Sequence, residues 1–311
     1  MAARGARTTA GDAGDWAPQL LGARPSPQLL AAFRQGLTDT GFVEGRNVGI
    51  EYRFAENRNE RLPALAADLV HRQVTVIATA GTPAALAAKA ATTIIPIVFE
   101  IGTDPVKLGL VTSLNRPGGN VTGVTNLTLQ MAPKRLELLH ELLPATTVMA
   151  LLVNPTDSVL AETTTRDLQA AAHSLGLKLH VLNASTERDF DAVFAKLIEL
   201  RAGGLVIGPG PFLVARQEQL AALALRHAVP AAFEYREFVA AGGLMSYGGS
   251  ITDTYRLAGV CVARILKGEK PSELPVQQVT KVELFLNLKI AKALGITVPL
   301  PLSGRADEVI E

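Results

Sequence analysis

Cysteine, aromatic residues and long apolar runs are all scarce in this sequence. The single cysteine, Cys261, excludes an internal disulfide framework. It falls in an apolar helical pattern, where a buried thiol is the default. No stretch approaches the ~18 consecutive apolar residues of a membrane span, so a transmembrane segment is not expected. Neither sign of charge is in excess: 30 Lys and Arg stand against 29 Asp and Glu. With no long basic run, nucleic acid is not the expected partner. The loops G-x-G-x-x-G, G-x-x-x-x-G-K-[ST] and G-x-S-x-G are missing too, which removes the usual dinucleotide, nucleotide and serine-hydrolase readings. His71, His140, His173, His180 and His227 lack metal-ligand spacing, and Glu137 and Glu141 are i, i+4 neighbours on a solvated helix face. No metal, cofactor or catalytic residue is expected.

What is present is a soluble globular composition, 48% hydrophobic and 19% charged, over 311 residues, enough for two domains with separate cores. The organising stretch is Val74 to Leu110, VTVIATAGTPAALAAKAATTIIPIVFEIGTDPVKLGL, which writes strand, polar loop and helix start twice. In the first copy VTVIATA is β-branched and apolar, Gly81 turns the chain, Thr82 suits the N-cap and Pro83 the first helical position. In the second copy IPIVFEI is the strand, Gly102 and Thr103 turn, Asp104 caps and Pro105 opens a helix. Loops at the carboxyl ends of parallel strands present free helix N–H groups, which favour an anionic ligand group. Ordinary capped helices would read the same way, although two Gly-Thr loops in succession favour a shared ligand.

Upstream, residues 1–25 carry no periodic pattern and read as irregular or disordered. The stretch also lacks the apolar run of ~7–15 residues of a secretory signal, so no export signal is recognisable. Ser26 caps a helix with Pro27 at its first position, and Leu29, Leu30, Phe33 and Leu37 form its apolar face. A half-exposed strand around Val48 to Phe54 and a helix over Arg61 to His71 lead into the organising stretch. After NRPGGN (Asn115 to Asn120) the alternation begins again: VMALLVN, LKLHVLN, GLVIGPG, AAFEY and GLMSYGG are strands separated by helices. Repeated βα units of this length imply parallel sheets with helices on both faces. The fold class is therefore α/β, two Rossmann-like lobes with parallel sheets and a ligand cleft between them. The expected division is 26–124 with 249–275 for the first lobe, and 125–248 with 276–311 for the second.

The loop residues suit binding rather than bond breaking. Asn154 follows one strand of the second lobe, Gly208 and Phe212 another, and Glu234 and Tyr235 a third. Phe212 or Tyr235 can stack on a flat ligand, and Glu234 or Asp104 can pair with an ammonium group. Equally, Asp104 suits a helix cap and Phe212 the core.

The runs FRQGL, GFVEGRNVGIEYRFAE, RLPALAADLV, IPIVFEIGTDPVKLGLVTSLNRPGGNVTGV and EYREFVAAGGLMSYG closely resemble the ABC-transporter substrate-binding family that includes tryptophan/tyrosine-binding lipoproteins. The resemblance covers Leu30 to Glu311 and implies a type I periplasmic binding fold. It further implies a periplasmic location and a small-molecule solute passed to an ABC permease and ATPase. By the same resemblance the pocket maps onto Gly81, Thr82, Pro83, Gly102, Thr103, Asp104, Asn126, Asn154, Gly208, Glu234 and Tyr247. Members of the family begin with an export signal and an apolar first strand. Here DWAPQLLGARPSP occupies that place, which leaves open whether the first strand is present; a misassigned start or shifted frame upstream of Pro27 is the hypothesis that would account for its loss.

The leading reading is a solute-binding component of an ABC importer, with an amino acid or an aromatic carboxylate as solute. An intracellular ligand-sensing domain of the same fold is the alternative, and it lacks an attached output domain. An enzyme using the same cleft would need a nucleophile and base that the sequence does not offer.

Overall fold

The computed structural model describes residues 18–311 except 23, 57 and 127, with side chains from residue 21 onward. In chain order, β1 (Pro18–Gly22), α1 (Pro27–Thr38), β2 (Glu51–Phe54), α2 (Leu62–His71), β3 (Val76–Ala80), α3 (Thr82–Ala91), β4 (Ile97–Ile101) and β5 (Val121–Thr125) form a first lobe. The chain then crosses to α4 (Ala132–Leu142), β6 (Val148–Val153), α5 (Ser158–Ser174), β7 (Lys178–Asn183), α6 (Asp189–Glu199), β8 (Gly204–Ile207) and α7 (Pro211–Val214). The second lobe continues with α8 (Gln217–Arg226), β9 (Ala231–Phe233), α9 (Arg236–Ala240) and β10 (Met245–Gly249). Next, α10 (Ile251–Leu266) and β11 (Gln277–Gln278) return to the first lobe. Finally β12 (Val282–Asn287), α11 (Leu288–Ala293), α12 (Leu300–Ser303) and β13 (Glu308–Ile310) complete the second.

The first sheet has the order β11-β5-β4-β3-β1-β2, all parallel; the second has the order β13-β12-β10-β9-β8-β6-β7, parallel except where β12 runs against β10. Residues of β3 and β4 are buried throughout, as expected of parallel strands covered by helices on both faces. One face of the first sheet packs Phe33, Leu37, Val262 and Leu266 of α1 and α10, and the other packs Leu69, Ala85 and Ala88 of α2 and α3. Two such layers serve the second sheet, around Phe190, Phe194 and Phe238 on one side and Leu136, Leu139 and Leu168 on the other. Three crossovers, after β5, after β10 and after β11, carry the covalent connection between lobes, and Tyr235 of the second lobe packs into the first core.

Several expectations are corrected. The first strand is present: within DWAPQLLGARPSP, Pro18–Gly22 is β1, inserted between β3 and β2 with Leu21 fully buried. Its sequence signal is weak, because it is five residues long and opens on a proline, which a strand tolerates at its first position. Residues 1–17, also expected to be irregular, lie outside the described residues. In the second copy of the organising motif no helix follows Asp104. A single turn closes with the Leu108 N–H on the Asp104 carbonyl and stops at Gly109, whose φ is +67°. The first copy shifts by one residue, with Gly81 as cap and Thr82 already helical. Gln277–Gln278 pairs with β5, so the first sheet takes in chain beyond residue 275, while Gly249 and Thr125 stay in β10 and β5 respectively.

Candidate functional site

The carboxyl ends of β3, β4, β8 and β9 face one another across a cleft of about 310 Å³. That volume is at the lower end of small-molecule sites. From the first lobe Gly81, Thr82, Glu100 and Gly102 line it; from the second come Gly210, Pro211, Glu234 and Tyr235, and Tyr255 of α10 adds a further wall. Both Gly-Thr loops of the organising stretch therefore meet here. They are also joined behind the wall, where the hydroxyls of Thr82 and Thr103 lie 3.1 Å apart and Thr125 Oγ1 donates to the Thr103 carbonyl at 2.9 Å. The amino end of α3 opens into the cleft with no side-chain cap on Gly81. Free N–H groups at that end are a place for a carboxylate.

The opposite chemistry is supplied by two buried acids. Glu100 is the penultimate residue of β4 and Glu234 follows β9, so each lobe contributes one. Burial pushes the Glu100 carboxyl up to about 8, and the charge of Glu234 pushes in the same direction. Burial also raises Glu234, to about 7, against the pull of Arg135, the Thr128 hydroxyl and the Gly210 N–H. Its Oε2 atom is buried and has no hydrogen-bond partner. Arg135 of α4 is fully buried beneath the site, donating from Nη1 to the Tyr247 carbonyl at 3.2 Å and from Nη2 to the Thr128 carbonyl at 3.1 Å. The Thr128 carbonyl lies in the first crossover and the Tyr247 carbonyl in β10, so one guanidinium ties that crossover to the second sheet while its charge acts on Glu234. Asn126 completes the floor. Its Nδ2 donates to the Tyr235 hydroxyl at 3.1 Å and its Oδ1 accepts from the Thr128 hydroxyl at 3.1 Å.

The remaining residues expected at the site lie elsewhere. Thr103 and Asn126 sit directly behind the lining, fully or nearly fully buried. Pro83, Asn154 and Phe212 face a separate void of about 20 Å³ between the lobes, beside Asp157. Phe212 does not stack on a ligand position: it stacks on Phe190 with ring centroids 5.6 Å apart, inside the second core. Asp104 is a turn cap, its Oδ1 accepting from the N–H groups of Val106 and Lys107. Gly208 is closed in by the Leu152 carbonyl and the Val153 side chain, and the Tyr247 ring packs with the second core. The sequence reading missed Glu100, Arg135 and Tyr255. Glu100 was signalled by an acid in an otherwise wholly apolar central strand, IVFEI. Arg135 was signalled by a charge on the helical stripe Ala132, Leu136, Leu139, Leu142.

Among the described residues no group of three or more His, Cys, Asp or Glu is placed to hold a metal ion, and no helix is long and apolar enough to cross a membrane.

The arrangement has close counterparts. A structure of a conserved domain protein from Vibrio cholerae is 28% identical, with a TM-score of 0.82 over 95% of this chain and 99% of that one. A Streptococcus pneumoniae ABC domain solved in complex with L-Trp is 24% identical, with a TM-score of 0.81 over 96% of this chain and 100% of that one. A protein of Clostridioides difficile strain R20291 described as a tyrosine-binding protein is 27% identical over 264 residues, which is 85% of this chain and 75% of the relative. The two-lobe α/β layout is that of type I periplasmic binding proteins. The family model for ABC transporter substrate binding proteins matches residues 27–310, and the chain belongs to that family.

Proposed function

We propose that this protein is the substrate-binding component of an ABC importer, taking an amino acid into the interlobe cleft outside the cytoplasmic membrane and delivering it to a membrane permease and ATPase. The observation that carries the reading is that the cleft lining offers groups of both signs. The free amino end of α3 at Gly81 and Thr82 suits a carboxylate, while the buried acids Glu100, beside it on the neighbouring strand β4, and Glu234, on the opposite lobe, suit an ammonium group. A zwitterion satisfies both, whereas a plain carboxylate leaves the acids without a cation. Tyr235 and Tyr255 supply further wall. The relatives described as binding tyrosine and tryptophan support an amino-acid solute. Family membership and fold support lobe closure around it, with Gly81, Thr82, Gly102, Glu234 and Tyr235 as the residues that hold it and Asn126 behind them.

The test is a thermal-shift and calorimetric screen of the chain against the proteinogenic amino acids, their des-amino analogues and simple sugars. A solute at about 100 times its dissociation constant stabilises by about 2.7 kcal/mol. The expected result is stabilisation by one or a few amino acids, weakened at least tenfold by Glu234→Ala and by Gly81→Trp. Stabilisation by sugars alone would overturn the assignment of solute class.

A further inference from the structure

The inner cleft holds more negative charge than its own groups balance. Glu100 and Glu234 line it from opposite lobes, with only 8% and 2% of their surfaces accessible. Among the described residues Arg135, on α4, is the one fully buried cation beside them, and its charge acts on Glu234. The other charged groups on the lining are Arg24 and Glu218, both exposed at the mouth, and Glu237, half-buried and hydrogen-bonded to the Thr252 hydroxyl. From the elements packed on the pair come Tyr235 and Tyr255, whose phenols burial raises well above their usual range and keeps neutral. With both acids ionised the interior therefore carries one net negative charge. With one of them protonated it carries none. A net charge in a water-poor site is strongly disfavoured, so the empty closed cleft is neutralised by a proton. A bound ammonium group would neutralise it equally well.

Resting on the reading of the cleft as an amino-acid site, we propose that Glu100 and Glu234 share one proton while the cleft is empty and release it to solvent when the ligand's ammonium group takes its place. The exchange balances. The ligand enters as R–NH3+, the carboxyl O–H bond breaks, the proton passes to water or buffer, and the freed carboxylate accepts N–H hydrogen bonds. Glu234 Oε2, buried and without a hydrogen-bond partner, is the acceptor waiting on the second lobe. Glu100 is the principal holder of the proton. Burial and the neighbouring charge both favour its neutral form, whereas Glu234 has Arg135, Thr128 and Gly210 holding it ionised. Because the two are coupled, the titration belongs to the pair. Since each lobe carries one acid, two ionised carboxylates would repel as the lobes approach, so closure takes either the shared proton or a cation between them. The pair thus selects for ligands that carry an amine.

Two consequences separate this exchange from simple ion pairing. Affinity rises about tenfold per pH unit below the titration of the pair and flattens above pH ~8. Ligands lacking the amine neither displace the proton nor show that slope.

The experiment is isothermal titration calorimetry of the whole chain with L-tryptophan and L-tyrosine at pH 7 in phosphate and in Tris, whose ionisation enthalpies differ. It is paired with carboxyl-carbon NMR of the ligand-free chain across pH 5–9. The expected result is release of close to one proton per ligand, and a carboxyl in the ligand-free chain titrating at about 8, above every other. Both are lost in Glu100→Gln and both kept in Asp157→Asn, which removes the remaining buried acid. Amino acids bound together with their des-amino analogues, without proton release, would leave the solute-binding reading standing and overturn the exchange. A raised carboxyl in the empty chain with no response to any amino acid or amine would overturn the solute-binding reading itself. An empty chain whose carboxyls all titrate in the ordinary range would overturn the exchange without reference to any ligand.

Discussion

Pro211, at the start of α7 in the second lobe, lies against the bare Cα of Gly81 in the first, where a Cβ atom would stand 2.8 Å from Pro211 Cγ. This contact separates the main cleft from the small void beside Asp157 and exists only while the lobes are together. Gly81 also has φ +91° and ψ 158°, a region that side chains other than hydrogen avoid at ~1–3 kcal/mol. Gly81→Ala therefore has two effects that can be told apart. The backbone strain lowers the melting temperature by several degrees with or without ligand. The clash with Pro211 opposes closure and weakens solute binding by roughly tenfold, about 1.4 kcal/mol. Adding Pro211→Ala should restore most of the affinity and none of the melting temperature, read by calorimetry and thermal melts on the single and double variants.

Arg135 is the next test, because its charge is buried near Glu234 and its guanidinium holds a carbonyl of the first crossover and one of β10. Arg135→Met leaves Glu234 without its cation and both carbonyls without their donor. Breaking a buried pair on one side destabilises by ~3–5 kcal/mol, which for a chain of this size is a fall of roughly ten degrees in melting temperature. Glu234→Gln in the same background should recover part of the loss. A melting temperature unchanged in Arg135→Met would show that the charge is not held in the interior.

The pH dependence of stability follows from the same acids. Glu100, Glu234 and Asp157 are raised to about 8, 7 and 6 respectively, chiefly by burial, above the ordinary carboxylate values they regain on unfolding. The folded chain thus binds more protons than the unfolded one between pH ~4.5 and 8, so their contribution is full below that window and is lost as pH rises through it. The melting temperature of the ligand-free protein should fall by several degrees from pH 5 to pH 8.5 at constant ionic strength. Glu100→Gln should flatten that slope more than Asp157→Asn, and a melting temperature rising over the same range would contradict burial of these groups.

The unequal legibility of this chain has physical causes. β3 and β4 were readable because strands buried on both faces are uninterrupted apolar runs, and Gly81 and Gly102 punctuate them. β1 was not readable, since PQLLG offers two leucines, a proline and a glycine, and its identity as a strand comes from partners Val76 and Glu51 onward in sequence. The loop residues that reach the cleft, Gly81, Thr82, Gly102, Glu234 and Tyr235, follow strands, which is where position alone could place them. Phe212 also follows a strand, yet a phenylalanine on a short apolar helix had a neighbour in Phe190 that no local pattern reveals. Glu100 and Arg135 were visible as oddities of pattern. Only the fold shows that they are two parts of one charge arrangement.

The crossing of α1 and α10 fixes the wall that Tyr255 presents to the cleft. A Cβ on Gly36 would overlap the Arg256 carbonyl oxygen, and one on Gly259 would overlap the Phe33 carbonyl oxygen, so the two helices touch backbone to backbone at reciprocal glycines. Val262 and Leu266 of α10 then reach the first core beside Phe33 and Leu37 of α1. Gly259→Val must push the helices apart, an overpacking that costs about 3 kcal/mol and lowers the melting temperature by roughly 6–12 °C. Because α10 starts at the second crossover and carries Tyr255 one turn before Gly259, its displacement also moves the cleft wall. The expected outcome is therefore a joint loss of stability and of solute affinity in Gly259→Val. Gly268→Ala, at the open end of the same helix where nothing approaches within 4 Å, loses a little stability through its φ of +98° and keeps its affinity. Thermal melts and calorimetry on the two variants separate a shifted helix from a strained turn, and equal affinities in both would show that α10 does not position the site.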